Sequence, residues 1–214
     1  MTRPHHAERF TAARWEEMWA GKTQPQTTPA HPYLASELAG LTRGTALDAG
    51  CGTGAEAVWL AEHGWRVTGA DVSPTALAIA ASRARAAEVE VDWVEADLTT
   101  WAPERPADLV TTFYAHPAGD QIEFYRRLAG WVTVGGTLVI VGHLHRHDDG
   151  AHPRRHAEPP EETTATADRI TALLPADRWR IESAFAGSRT VPAGGGEERL
   201  LHDVVVRATR LAPR

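Results

Sequence analysis

The stretch ALDAGCGTGAEAVWLA, residues 46–61, decides the fold. A short apolar run passes Asp48, breaks into Gly50, Gly52 and Gly54, and continues directly as a segment of helical character. Glycine there lets the backbone turn sharply and lets a ligand lie against bare main chain at a helix N-terminus, in the crevice beyond the strand ends. The flanking sequence repeats the alternation. TALDAG, AEAVWLAEHG, RVTGAD, PTALAIAASRARAAE and VEVDWVEAD read as β-α-β-α-β, with Gly64 suited to the residue past a helix end and Pro74 to a first helical turn. ADLVTTFY, GDQIEFYRRLAGWV and GGTLVIVGH extend the series as strand, helix and strand, the strands apolar on both faces as central parallel strands are. An open α/β sheet follows.

Farther out the pattern changes. Trp15, Met18 and Trp19 at i, i+3 and i+4 predict a helix over His6 to Ala20, and after the proline-rich GKTQPQTTPAHP a second helix is expected from Tyr33 to Leu41. Beyond a polar loop from Leu144 to Pro160, a helix is expected over Glu161 to Leu174. The runs WRIESAFAGSRTV and LHDVVVRATRL, separated by PAGGGEER, predict an antiparallel hairpin at the sheet edge, since so short a glycine-rich turn cannot hold a parallel crossover.

With 214 residues, 43% hydrophobic, 23% charged and a mean hydropathy of -0.34, the chain has the proportions of an ordinary soluble protein, and one domain over 1–214 is the default expectation. A net charge of -6 supplies no basic field for phosphates, so nucleic acid is not expected as a partner. Apolar runs are far shorter than the roughly 20 residues that cross a bilayer, and MTRPHHAERF has no apolar signal region, so the expected place is the cytosol, off the membrane. The single cysteine, Cys51, forms no internal disulfide and reads as a small packing residue inside the glycine loop.

Gly50-x-Gly52-x-x-Ala55 with Asp71 downstream also fits the fingerprint of a dinucleotide site. Asp48 separates the two readings, because a carboxylate two residues before Gly50 opposes a pyrophosphate and favours an ammonium group. The run Asp48 to Gly54, an acid followed by Gly-x-Gly-x-Gly, resembles motif I of the class I S-adenosylmethionine-dependent methyltransferases. The resemblance implies that Asp48, Gly50, Cys51, Gly52 and Gly54 surround the methionine part of the donor. In VTGADVS it implies Asp71 on both ribose hydroxyls beside Val72, and in VEADL it implies Asp97 accepting from the adenine amino group with the Leu98 backbone against the ring. It also implies a doubly wound, mostly parallel seven-stranded sheet whose last strand inserts antiparallel beside the fifth. A helical lid (1–41) would cover a cofactor-binding core (42–143), with 144–214 as loop, helix and hairpin, and would bring Trp19 over the donor site. The expected cofactor is S-adenosyl-L-methionine, with S-adenosyl-L-homocysteine as product.

Methyl transfer from a sulfonium is a displacement, so a protein must align donor and acceptor, exclude water, and take up a proton where the acceptor carries one. Phe113, Tyr114 and His116 follow strand four and His143 ends strand five, at places that face the methyl in the methyltransferase fold. His116 and His143 are the candidate bases because imidazole titrates near neutrality. A metal site from His143, His145 and His147 with Asp148 and Asp149 is conceivable but not favoured, a solvated flap being the simpler reading of so polar a loop. FYAHPAG stands where methyltransferases of DNA amino groups carry Asn/Asp-Pro-Pro-aromatic, so the expected acceptor is a small molecule, with its O, N or S atom left open. An oxidoreductase reading finds no Tyr-x-x-x-Lys dyad, since Lys22 is the only lysine; a protein that binds the donor without transferring methyl stays open.

Overall fold

A computed structural model describes residues 10–20, 28–144, 165–194 and 197–213. Its elements in chain order are α1 (Ala12–Ala20), α2 (Pro32–Glu37), β1 (Thr45–Ala49), α3 (Ala55–Glu62), β2 (Arg66–Asp71), α4 (Pro74–Ala86), β3 (Asp92–Glu95), β4 (Ala107–Phe113), α5 (Gln121–Gly130), β5 (Val132–His143), α6 (Ala167–Thr171), β6 (Trp179–Gly194) and β7 (Glu197–Arg210). They build a seven-stranded sheet in the order β3-β2-β1-β4-β5-β7-β6. β1 to β5 are parallel, and β7 inserts antiparallel between β5 and β6. The strand order reverses beside β1, with β2 on one side and β4 on the other, which opens a crevice at the strand C-termini where ligands of such sheets bind.

Side-chain alternation explains the layers. Leu138 and Ile140 of β5 face one way with Val110, Val204 and Val206, covered by Phe124 and Leu128 of α5 and Ile170 of α6. Val139 and Val141 face the other way with Leu109 and Val205, covered by Leu34 of α2 and Leu60 of α3. Burying both faces of β5 demands the continuous apolar run seen in its sequence. Local caps agree: the Ser73 side chain accepts from the Ala76 N–H, Pro74 opens α4, and Gly64 at φ 85 follows α3.

Several boundaries differ from expectation. α1 starts at Ala12 within the described residues, with residues 6–9 outside them. α2 ends at Glu37 because Leu38 caps it and Gly40 turns left-handed at φ 79. α6 is one turn capped by Thr166, and residues 161–164 of the expected helix lie outside the described part. The hairpin strands run through most of PAGGGEER, and β7 pairs with β5 only from Asp203 onward, so the far half of the hairpin overhangs the sheet.

Candidate functional site

The glycine loop is held from below and open above. Both Gly50 and Cys51 donate backbone N–H bonds to the Ala70 carbonyl at the end of β2, at 2.8 and 3.1 Å. A Cβ on Gly50 would stand 2.4 Å from the Ala115 Cβ, and one on Gly52, at φ 50, would project beneath the Trp19 ring at 3.6 Å. Gly50 therefore admits the close approach of the segment after β4, while Gly52 keeps space open under α1. Gly54 sits at the N-cap of α3 and donates to the Cys51 carbonyl. The Cys51 thiol is buried and burial pushes its pKa up, against a nucleophilic role.

A cavity of about 340 Å³ opens above this loop. One end is polar, where Gly52, Glu56, Asp71, Val72, Asp97 and Leu98 contribute. Asp71 is 9% exposed and already orients the loop: its Oδ2 accepts from the Gly52 N–H at 2.8 Å and its Oδ1 from the Ser73 N–H at 3.0 Å. Each carboxylate oxygen accepts more than one bond, so those contacts leave acceptor capacity toward the cavity. Asp97 is exposed and its Oδ1 closes a turn onto the N–H and hydroxyl of Thr99, and the Leu98 carbonyl accepts from Arg127.

Asp48 takes a different place from that expected. It is 1% exposed and is not on the cavity wall; Oδ1 accepts from the Thr111 hydroxyl, while Oδ2 is buried with no hydrogen-bond partner. Burial first, and the Glu56 carboxylate second, push its pKa well up. Glu56 does reach the wall, and its carboxylate accepts the His31 N–H at 3.0 Å. Its pKa is raised by burial, as is that of Asp71. Burial holds these three carboxyls toward their neutral form until a positive charge arrives to favour the anion, so the group round the glycine loop suits a cationic amino acid moiety better than a pyrophosphate, and the residues present fit S-adenosylmethionine.

The other end is aromatic, lined by Phe10, Trp15, Phe113, Tyr114, His116 and Phe124. α1 roofs it: the Trp15 indole donates to the His116 carbonyl at 3.3 Å, and Glu16 latches the helix to the N-terminus of α4 by accepting from Ser73 Oγ, Thr75 Oγ1 and the Thr75 N–H. Those bonds hold the Glu16 carboxyl below its ordinary pKa. Tyr114 follows β4 at φ 55, a left-handed turn rarely adopted by a bulky residue, and so aims Ala115 at the glycine loop and His116 at the cavity.

The strained turn is bolted from behind. The Tyr114 hydroxyl donates to Asp203 Oδ1 at 2.7 Å and lies 3.0 Å from His31 Nε2, while Arg189 reaches both Asp203 Oδ2 (2.8 Å) and the Tyr114 hydroxyl (3.0 Å). Burial, and the hydrogen bond to Asp203 after it, drive the Tyr114 pKa upward, and burial with Arg189 nearby brings His31 down to about 4, so that ring is neutral near pH 7. His143 is not on the cavity wall; its ring packs behind, with centroids 4.4 Å from Tyr114 and 5.6 Å from His116.

The structure thus gathers Gly50, Cys51, Gly52, Asp71, Val72, Asp97, Leu98, Phe113, Trp19 and His116 around one cavity and leaves Asp48, Gly54 and His143 off its lining. His145, His147, Asp148 and Asp149 lie outside the described residues. The sequence reading missed Glu16, His31, Glu56, Gln121, Arg189 and Asp203. Asp203 alone carried a signal, a carboxylate opening the apolar run of β7.

Comparison with known proteins bears on family and fold. A family model described as a methyltransferase domain matches residues 46–136. Trans-aconitate 2-methyltransferase of Azoarcus sp. (strain BH72) is 30% identical over 171 residues, covering 77% of this chain and 65% of that protein. The chain therefore spans less than two thirds of that relative's length. A structure solved for the conversion of a disulfide bond into a thioacetal group during echinomycin biosynthesis is 28% identical with a TM-score of 0.68, covering 97% of this chain and 92% of that one. The N-methyltransferase NodS from Bradyrhizobium japonicum WM9 in complex with S-adenosyl-L-homocysteine shares the fold at 15% identity and a TM-score of 0.62, covering 94% and 98% of the two chains. Among the described residues no helix is long and apolar enough to cross a membrane.

Proposed function

We propose that this chain, whose residues 46–136 match a methyltransferase domain and whose fold is that of the class I S-adenosylmethionine-dependent methyltransferases, moves the donor's methyl group to an O, N or S atom of a small aromatic or hydrophobic acceptor. The observation that carries this reading is the division of one cavity into a carboxylate-lined end over the glycine loop and an aromatic end beneath α1. Bound S-adenosylmethionine supplies an electrophilic methyl on a sulfonium. Asp71 accepts from the ribose hydroxyls, the Gly52 backbone gives room for the donor's chain, and Glu56, backed by Asp48, favours its positive charge. Val72, Leu98 and Phe113 close the adenine and sulfur sides, with Asp97 toward the adenine amino group.

At the aromatic end, Trp15, Phe10 and α1 exclude water, which keeps the acceptor at attack distance and strengthens every charge interaction inside. His116 takes the acceptor's proton where the acceptor carries one, and His143 supports its ring from behind. The side chains described at this end are mainly aromatic, which suits a flat apolar acceptor, and trans-aconitate, the acceptor named for the Azoarcus relative, is the contrasting candidate. The sulfur chemistry named for the echinomycin-related structure places thiols on the acceptor panel beside phenols and amines.

Parallel calorimetric titration with S-adenosylmethionine, S-adenosylhomocysteine and NADH tests the donor half, with saturable binding expected for the first two alone. Turnover of a panel of aromatic thiols, phenols and amines against trans-aconitate tests the acceptor half. Binding without turnover of any acceptor would make this a donor-binding protein instead.

A further inference from the structure

Gln121, at the start of α5, is 1% exposed and faces the loop that carries His116. Its amide nitrogen donates to the Ala115 carbonyl at 3.0 Å, and its Oε1 lies 3.2 Å from His116 Nδ1. A backbone carbonyl only accepts, so the group facing Ala115 is the NH₂ and the group facing His116 is the amide oxygen. An oxygen there accepts and does not donate, so Nδ1 of the neutral imidazole must carry the proton, and the lone pair belongs to Nε2. The neighbours leave the amide little freedom. Asp120 caps α5 one residue earlier through the Glu123 N–H. From the roof, Trp15 holds the His116 carbonyl and the Phe10 ring packs on the imidazole at 5.3 Å.

We infer that Gln121 is a positioning residue that fixes His116 as the Nδ1–H tautomer, so that Nε2 is the basic nitrogen of the acceptor site. The inference rests on the reading of His116 as the acceptor's base, yet it makes a claim about the free protein. One buried amide then performs two tasks: it holds the loop after β4 through Ala115, and it chooses which imidazole nitrogen receives a proton. The proton taken from the acceptor by Nε2 yields an imidazolium whose Nδ1–H bond to Gln121 is kept and strengthened, so no ring flip is needed during turnover.

The test is long-range ¹H–¹⁵N correlation spectroscopy on the uniformly ¹⁵N-labelled full chain at a pH above the imidazole titration, with His116 assigned by its disappearance in His116→Gln. The wild-type ring should carry its proton on Nδ1. Gln121→Met, which keeps the volume and removes the amide, should redistribute the ring toward the Nε2–H form. Gln121→Glu, which keeps an acceptor oxygen, should restore Nδ1–H and serves if the Met variant fails to fold. An Nε2–H wild-type ring, or an unchanged tautomer in Gln121→Met, overturns the inference. Turnover of the acceptor panel separates the two layers: full activity in His116→Gln with the expected tautomer refutes the base and leaves the positioning intact.

Discussion

The two ends of the cavity are built on opposite plans. The donor end is made by the tips of three adjacent strands, and its parts follow one another in the chain from Asp48 to Leu98. The acceptor end is assembled from α1, the approach to α2, the turn after β4, α5, β6 and β7, and the bonds that fix it span 83 and 89 residues. A contiguous motif held by backbone bonds ties the donor end to one ligand. A wall of separate side chains can change piece by piece without disturbing that ligand, which is how one fold serves many acceptors.

Substitutions should separate the ends by what they cost. The largest effect is expected at the donor end, where Asp71→Ala removes the two ribose bonds proposed for its carboxylate, each worth roughly 1.5–3 kcal/mol, together with its bonds to the Gly52 and Ser73 N–H groups, so affinity for S-adenosylhomocysteine should fall by at least about a hundredfold in calorimetry. Unchanged affinity would remove Asp71 from the ribose. At the other end Asp203→Ala leaves Arg189 and Tyr114 without their buried partner and should lower unfolding free energy by about 3 kcal/mol in urea titration while donor affinity stays within a few-fold. Equal losses in both measurements would mean the ends are not independent.

A pH series gives a subtler probe. His31 is neutral in the fold, with a pKa of about 4 against 6.5 free, so the unfolded chain binds the extra proton between those values. Its contribution is present above pH 6.5 and is lost as pH falls toward 4, by at most about 3 kcal/mol and less for the part of the ring that water reaches. The raised carboxylates Asp48, Glu56 and Asp71 act with the opposite sign, gaining protons in the fold as pH falls. The comparison to make is therefore wild type against His31→Gln, where the variant should show a flatter loss of stability from pH 6.5 to 4. The smallest effect is expected for Glu16→Gln, which weakens the latch between α1 and α4 and should reduce donor affinity by less than about tenfold. An identical titration would show that α1 does not guard the donor.

This contrast also explains what could be read from the chain. The alternation of strands and helices and the antiparallel hairpin were legible because β and α periodicities and turn spacing are local properties, whereas the insertion of the last strand beside the fifth followed from the family resemblance. Asp48 was read for its charge, but its burial depends on Thr111 of the neighbouring strand, which spacing does not reveal. Gln121 carries no signal of spacing or periodicity, and only the fold brings its amide between Ala115 and His116. His31 lies in a proline-rich loop and Arg189 in a strand whose contacts across the sheet no local pattern specifies, and their meaning appears only where both meet Tyr114. Helix ends shifted where single residues decide, as Gly40 does after α2.

The position of β7 bears on how the chain is made. β6 leaves the ribosome before its partner β7, and β5 waits beside β4 with one edge open until β7 arrives to fill it. The sheet is closed last, by two strands entering as a unit, and until then β5 offers its apolar run of Leu138 to Val141 to any other unpaired strand. The same event delivers Asp203 to Tyr114, so a nascent chain acquires its acceptor chamber and loses its sticky edge in one step.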